Sequence, residues 1–203
     1  MNTVSTAKSA NASAFSVRTI SMTAMLAAVA YLLAFLEFPV PLSPSFARMD
    51  LSDLPALIGA FAFGPFSGLL IEFVKNALQL LTTSTGGVGE IANFLMGASY
   101  VVTAGFIYRY RKTKKTALIA CILASIVMGI AAALANYFIL LPLFENFMPL
   151  DQLIASFAEF LPFIHTKLDV VLFNAFPFNL LKGLVIGGVT MLIYKKLTPV
   201  LKG

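Results

Sequence analysis

Asn179 and Lys182 stand three residues apart in an otherwise apolar stretch, a spacing that puts both on one face of a helix. A carboxamide offers a donor and an acceptor, whereas an ammonium offers donors only. With Asn136 they form a set better suited to an uncharged heterocycle with imide-like edges than to a simple ion. Interhelical hydrogen bonding is the other reading of these three residues. Glu72 and Lys75 are also three apart, and read either as a structural ion pair or as part of a polar site. Asn76, Glu90 and Asn93 add mixed donors and acceptors nearby, and Phe46 and Asp50 join the candidate site by their placement in a connection. No nucleophile, base and orienting group occur together, so no catalytic residue is assigned. His165 is the single histidine and has no Cys or His neighbour, so no metal site is expected. The Walker pattern G-x-x-x-x-G-K-[ST] is missing, which argues against a self-contained ATPase of that kind.

The elements that must hold these groups are written in the composition. The chain of 203 residues is 59% hydrophobic and 11% charged, too few charges to clothe a soluble domain. Its mean hydropathy is +0.91. Residues 91–108 and 116–144 carry no charge, and each run approaches or exceeds the ~20 residues of helix that span a bilayer. Ten of the 14 basic residues gather in three places: Lys8 and Arg18, then Arg109, Arg111, Lys112, Lys114 and Lys115, then Lys195, Lys196 and Lys202. All nine carboxylates lie elsewhere. This is the pattern of basic residues retained on the cytoplasmic side of a membrane protein, so the net charge of +5 is no sign of nucleic-acid binding.

Parity then sets the number of spans. With the N-terminus cytoplasmic, the cluster at 109–115 must follow an even number of helices. A break at Phe63-Gly64-Pro65-Phe66, a local turn signal, supplies it. The expected helices are 20–38, 52–63, 66–82, 89–109, 116–141 and 170–196. The fold class is therefore an all-α integral membrane protein with six transmembrane helices and both termini cytoplasmic. Residues 1–17 are expected to be a disordered N-terminus, 18–197 one membrane domain and 198–203 a cytoplasmic tail. Leu150, Leu153, Ile154, Phe157, Phe160 and Leu161 share a helical face in the outer segment between the last two spans, the pattern of an interfacial helix. Polar groups at membrane depth are costly unless paired or used, and here they concentrate in the outer halves of the helices. Cys121 is single and sits in an apolar run, which reads as packing.

Small residues four apart, Ala24 with Ala28, Ala30 with Ala34, and Gly183 with Gly187, let helices approach closely, within the chain or against a membrane partner. Leu36-Glu37-Phe38-Pro39, the run 50–58 (DLSDLPALI), Phe63-Gly64-Pro65, the run 71–76 (IEFVKN), the run 89–94 (GEIANF) and the run 179–183 (NLLKG) resemble the riboflavin-specific substrate-binding subunits of energy-coupling factor (ECF) vitamin transporters. The resemblance covers about residues 20–195. It implies a six-helix S-component bundle in a bacterial cell membrane that captures riboflavin from outside, with the connection between the first two helices as a gate. It implies riboflavin as a transported ligand rather than a cofactor, a membrane coupling subunit and two ABC-type ATPases as partners, and no chemistry on the substrate. It carries the flavin contacts most directly onto Asn136, Asn179 and Lys182, and the coupling-subunit contact onto Ala24 and Ala28, with Ala30 and Ala34 as a second pair. The competing expectations are a subunit for another vitamin or for a flavin nucleotide, a stand-alone secondary transporter, and a membrane enzyme using Glu72 and Lys75.

Overall fold

The computed structural model describes residues 16–39, 48–83 and 85–202. Helix α1 (Val17–Ala34) opens on Ser16, whose side chain accepts from the Thr19 amide. Two-residue strands β1 (Phe38–Pro39) and β2 (Arg48–Met49) pair antiparallel, with Phe38 opposite Met49. Helix α2 (Asp53–Phe63) and helix α3 (Pro65–Gln79) follow, and a 3-10 turn, Leu80–Thr82, extends α3. The break between them rests on Gly64, whose φ of 103° only glycine adopts freely, and on Pro65 at the first helical position.

Helices α4 (Val88–Tyr110) and α5 (Lys114–Ala135) form the next antiparallel pair. A π-helical turn, Asn136–Leu140, joins α5 to α6 (Leu141–Phe144). Helix α7 (Leu150–Ala158) buries Leu153 and Phe157. The short α8 (Lys167–Val170), begun by a Thr166–Asp169 capping box, passes through a second π-helical turn, Val171–Ala175, into α9 (Phe176–Lys202).

Both π turns sit just before a proline, Pro142 or Pro177. A proline in a helix lacks an amide and crowds the carbonyl four residues earlier, here that of Phe138 or Phe173. Both carbonyls lie inside a π turn, where widening the helix relieves the crowding. These turns went unread in the sequence, although the prolines signal them.

Most helix boundaries lie close to those expected, but the first helix, expected to reach Phe38, ends at Ala34, and Phe38 pairs in β1 instead. Val17–Ala34, Val88–Tyr110, Lys114–Phe144 and Lys167–Tyr194 are long and apolar enough to cross a membrane, whereas α2 is apolar but only 11 residues long. Helix α9 continues to Lys202, through the stretch expected to be a tail.

Several contacts sort the bundle into two ends. The Tyr108 and Tyr194 hydroxyls bond at 2.9 Å, and Phe61 stacks on Tyr108. The α2–α3 turn, the C-terminal part of α4 and the late part of α9 therefore share one end, with the basic cluster at 109–115. The β1–β2 pairing puts the C-terminus of α1 beside the N-terminus of α2, at the other end.

Close approach is built from small residues. A Cβ at Gly183 would meet Ser125 Cα at 3.0 Å, and one at Gly187 would meet Cys121 Cβ at 2.8 Å. The Gly183–Gly187 spacing thus serves internal packing of α9 on α5, and Cys121 is buried there. The α5 surface that includes Leu118, Ile122, Ile126 and Ile130 is exposed and apolar, as a lipid-facing surface requires.

A Cβ at Gly105 would meet the Pro65 Cα at 2.9 Å, whereas one at Gly188 would meet nothing within 4 Å. Gly105→Leu should destabilise the detergent-solubilised protein by about 1–3 kcal/mol, since backbone cannot move aside cheaply. Gly188→Ala should be neutral or stabilising by up to about 1 kcal/mol. Paired thermal melts check both, and equal melting temperatures for the two variants would contradict this packing.

Candidate functional site

At the end away from the basic cluster, two lysines and three carboxylates are buried together. Lys75 Nζ donates to Asp53 Oδ1 at 2.6 Å and Ser52 Oγ at 3.0 Å, and pairs with Glu72 Oε2 at 2.7 Å. Lys182 Nζ lies 3.0 Å from Asp53 Oδ2 and 3.5 Å from Asp50 Oδ2, and donates to Asn93 Oδ1 at 3.2 Å. One carboxylate, Asp53, thus bridges both ammonium groups. Ser52, Asp53, Glu72 and Lys75 are fully buried.

Local structure explains how these groups meet. Asp53 stands in the first turn of α2, where the helix dipole favours a carboxylate. Asp50 Oδ1 accepts from the Ser52 amide at 2.6 Å, which ties the entry of α2 to the connection before it. Glu72, Lys75 and Asn76 share the inward face of α3. Gly97 on α4 makes room for Glu72, because a Cβ there would stand 2.7 Å from its carboxyl carbon. Asn76 Nδ2 donates to the Glu72 carbonyl at 2.8 Å.

The arrangement keeps acceptors in reserve. Glu72 Oε1, Asn76 Oδ1 and Gln79 Oε1 are buried on α3 without a hydrogen-bond partner among the described residues. Positions 72, 76 and 79 follow helical spacing, so these oxygens line one stripe. Buried acceptors are costly unless met by donors, and a hydroxyl-bearing ligand supplies donors. Asn179 is buried and its Nδ2 donates to Ala175 O at 2.9 Å, which leaves Oδ1 as the part that can accept from a ligand. Asn136, at the first π turn, likewise spends its Nδ2 on Ala132 O at 2.8 Å.

The residues expected from the sequence therefore separate into groups. Asp50, Asn93 and Lys182 come together directly, and Asn76 joins them through Glu72 and Lys75. Asn179 lies one turn from Lys182 on α9. Glu90 is engaged locally, accepting from Thr83 Oγ1 at 2.9 Å and Thr85 Oγ1 at 3.1 Å to brace the start of α4. Phe46 lies outside the described residues. On α1, Ala24 and Ala28 are exposed, whereas Ala30 and Ala34 are buried inside the bundle, so the outward pair is the first one. Glu72 and Lys75 are an ion pair, as one of the two sequence readings held.

Sequence reasoning missed Ser52, Asp53 and Gly97 as parts of the site. A charge count would have found Asp53, since two lysines at membrane depth require carboxylates beside them. Among the described residues no group of three or more His, Cys, Asp or Glu could hold a metal ion.

Removing one member of a buried pair leaves an uncompensated charge, at about 3–5 kcal/mol. Asp53→Asn should therefore cost more stability than Asp50→Asn, whose carboxylate is the most distant partner of Lys182. Lys75→Met combined with Asp53→Asn should cost less than the two single losses summed, because each single variant breaks the same 2.6 Å pair, although Glu72 then loses its own partner. Thermal melts of the four variants, Lys75→Met alone included, and of wild type provide the check, and additive losses in the double variant would contradict the bridge.

The comparisons with known proteins agree with this architecture. Residues 18–194 match the family model for the substrate-specific component of ECF transporters. The chain is 39% identical over 179 residues to a riboflavin transporter RibU of Staphylococcus aureus, covering 88% of this chain and 89% of that protein. It is 31% identical to a riboflavin transporter FmnP of Bacillus subtilis, covering 90% and 93%. A solved S component of a bacterial ECF transporter superposes with a TM-score of 0.72 at 36% identity, over 92% of this chain and 99% of that one. With the family model spanning nearly the whole helical region, the chain belongs to the substrate-specific components of ECF transporters.

Proposed function

We propose that this chain is the riboflavin-capturing subunit of an ECF-type uptake transporter. The observation that carries the reading is a buried polar end, centred on Lys182, in a chain similar along most of its length to proteins named riboflavin transporters. The flavin ring presents an imide N–H between two carbonyls. Asn179 Oδ1 or Asn136 Oδ1 accepts from that N–H, and Lys182 donates to a carbonyl. The ribityl hydroxyls meet the acceptor stripe of α3 and Asn93. Asp50, just before α2, borders the ligand beside Lys182, and apolar side chains enclose the benzenoid edge.

In this reading the bundle crosses the membrane six times. The passes are α1, α2, α3 with its 3-10 turn, α4, α5 through α6, and α8 through α9. The basic end faces the cytoplasm with both termini, and the Lys182 end faces outward. Neighbouring helices shield the short α2. Helix α7 lies at the outer interface. The chain performs no chemistry on its ligand. A membrane coupling subunit, docked on the Ala24–Ala28 face of α1, and two ATP-hydrolysing subunits drive transport, with this subunit reorienting in the membrane.

Riboflavin added to the purified protein should lose its fluorescence on binding, saturating at one flavin per chain. Lys182→Ala and Asn179→Ala should each weaken binding by at least about tenfold, the loss of a hydrogen bond to a buried or charged partner. Circular dichroism must show both variants folded. Saturable quenching of unchanged affinity in folded Lys182→Ala would overturn the assignment of the site. Proteoliposomes holding this chain alone should not accumulate riboflavin. Uptake there on an ion gradient would establish a secondary transporter instead.

A further inference from the structure

A cavity of about 810 Å³ opens at the end of the bundle opposite Lys182, between the α2–α3 turn and the C-terminal half of α4. Its walls include Phe61, Phe63, Phe66, Val102 and Phe106. Arg109 and Lys112 close one side, and both are exposed. Phe66 and Phe106 are each more than half exposed, so the apolar part opens sideways as well as endwise.

We propose that this cavity is a binding site for an anionic phospholipid. The lining divides along its length as such a lipid does. Val102 stands seven residues before Arg109 on α4, which places the apolar floor ~10 Å below the first cation at 1.5 Å per residue. That separation matches a phosphate held by Arg109 and Lys112, with the upper part of an acyl chain against Val102 and Phe106. A guanidinium binds phosphate oxygens in pairs, and a lysine adds a point charge. Among the described residues no carboxylate lines the cavity, so the cations are available to an anionic headgroup. Both are already at the basic end, where basic pockets between membrane helices take anionic headgroups. The site is separate from the buried Lys75–Asp53–Lys182 network and does not depend on the flavin assignment. It rests on the basic end lying at a membrane surface.

The cavity also explains features that packing alone leaves unused. Gly64 has open space where a Cβ would be, so its positive φ serves the turn rather than a tight neighbour. The turn therefore overhangs the cavity without filling it.

The full-length protein in mild detergent, supplied with phosphatidylglycerol or phosphatidylcholine of matched chains, can be read by native mass spectrometry. Wild type should retain phosphatidylglycerol preferentially. Arg109→Gln/Lys112→Gln should reduce that preference on the order of tenfold, two interfacial basic contacts being lost. Lys114→Gln/Lys115→Gln removes the same charge outside the lining and should keep it. Val102→Phe, which fills the floor without touching charge, should lower lipid retention while riboflavin quenching stays intact. Equal retention of the two lipids by wild type would overturn the proposal. So would equal losses from the two charge-pair variants, because the effect would then be net charge. Undiminished lipid preference in Arg109→Gln/Lys112→Gln, with loss of assembly onto the coupling subunit, would make this face a protein contact and would also overturn it.

Discussion

Two ammonium groups inside an apolar bundle must be neutralised where water cannot reach them, and the outer architecture follows from that requirement. Lys75 comes from α3 and Lys182 from α9, and the Asp53 carboxylate offers one oxygen to each. Asp53 can do so only if α2 starts at their depth, which leaves α2 eleven residues before the Gly64–Pro65 reversal. The reversal returns α3 along α2 so that Lys75 arrives level with Asp53, ten residues after Pro65. Gly97 lacks a side chain because the Glu72 carboxylate occupies that space. A short helix, a tight turn and a bare patch on α4 are one solution to a single electrostatic demand.

The same demand shapes how a ligand can enter. Lys182 has three oxygen neighbours, and the Asp50 contact, at 3.5 Å, is the longest. A ligand carbonyl that replaced Asp50 would exchange a weak contact for one of comparable strength, with Asp53 still neutralising the lysine. Asp50 immediately follows β2, and its other oxygen holds the Ser52 amide at the entry of α2. Placing the ligand's donors against the unpartnered oxygens of Glu72, Asn76 and Gln79 would offset the desolvation that burying them had already cost.

Much of this was legible in the residues themselves. Uncharged runs and clustered cations announce helices and their ends, because a bilayer penalises exceptions so heavily. The break at Gly64 was readable from parity together with turn chemistry. The interfacial spacing of residues 150–161 found α7, though that helix ends at Ala158. What stayed hidden depends on facts between helices. Helical spacing puts Ala30 and Ala34 on a common stripe but does not say that the stripe faces inward. Glu90 reads as a ligand group, and the sequence does not show that Thr83 and Thr85 both donate to its Oε2. Asp53 looks like an ordinary helix-start acid until α3 and α9 bring two lysines to it. Periodicity reports faces, and only packing reports which face meets which.

The two ends of the bundle treat charge in opposite ways, and the contrast bears on movement within a membrane. At the Lys182 end the charges of α2, α3 and α9 are satisfied within the chain, and the α5 surface beyond them is apolar. Tilting the bundle as a body would expose none of those charges to lipid, so the network adds little to the barrier. At the opposite end Arg109, Arg111, Lys112, Lys114 and Lys115 are exposed and keep their charge only by staying at water or headgroups. Those cations oppose any movement that would carry that end into hydrocarbon. The internal pairing of Lys75 and Lys182 removes one obstacle to tilting, while the exposed Glu145, Asp151 and Glu159 at that end and the exposed cations at the other each resist burial in lipid.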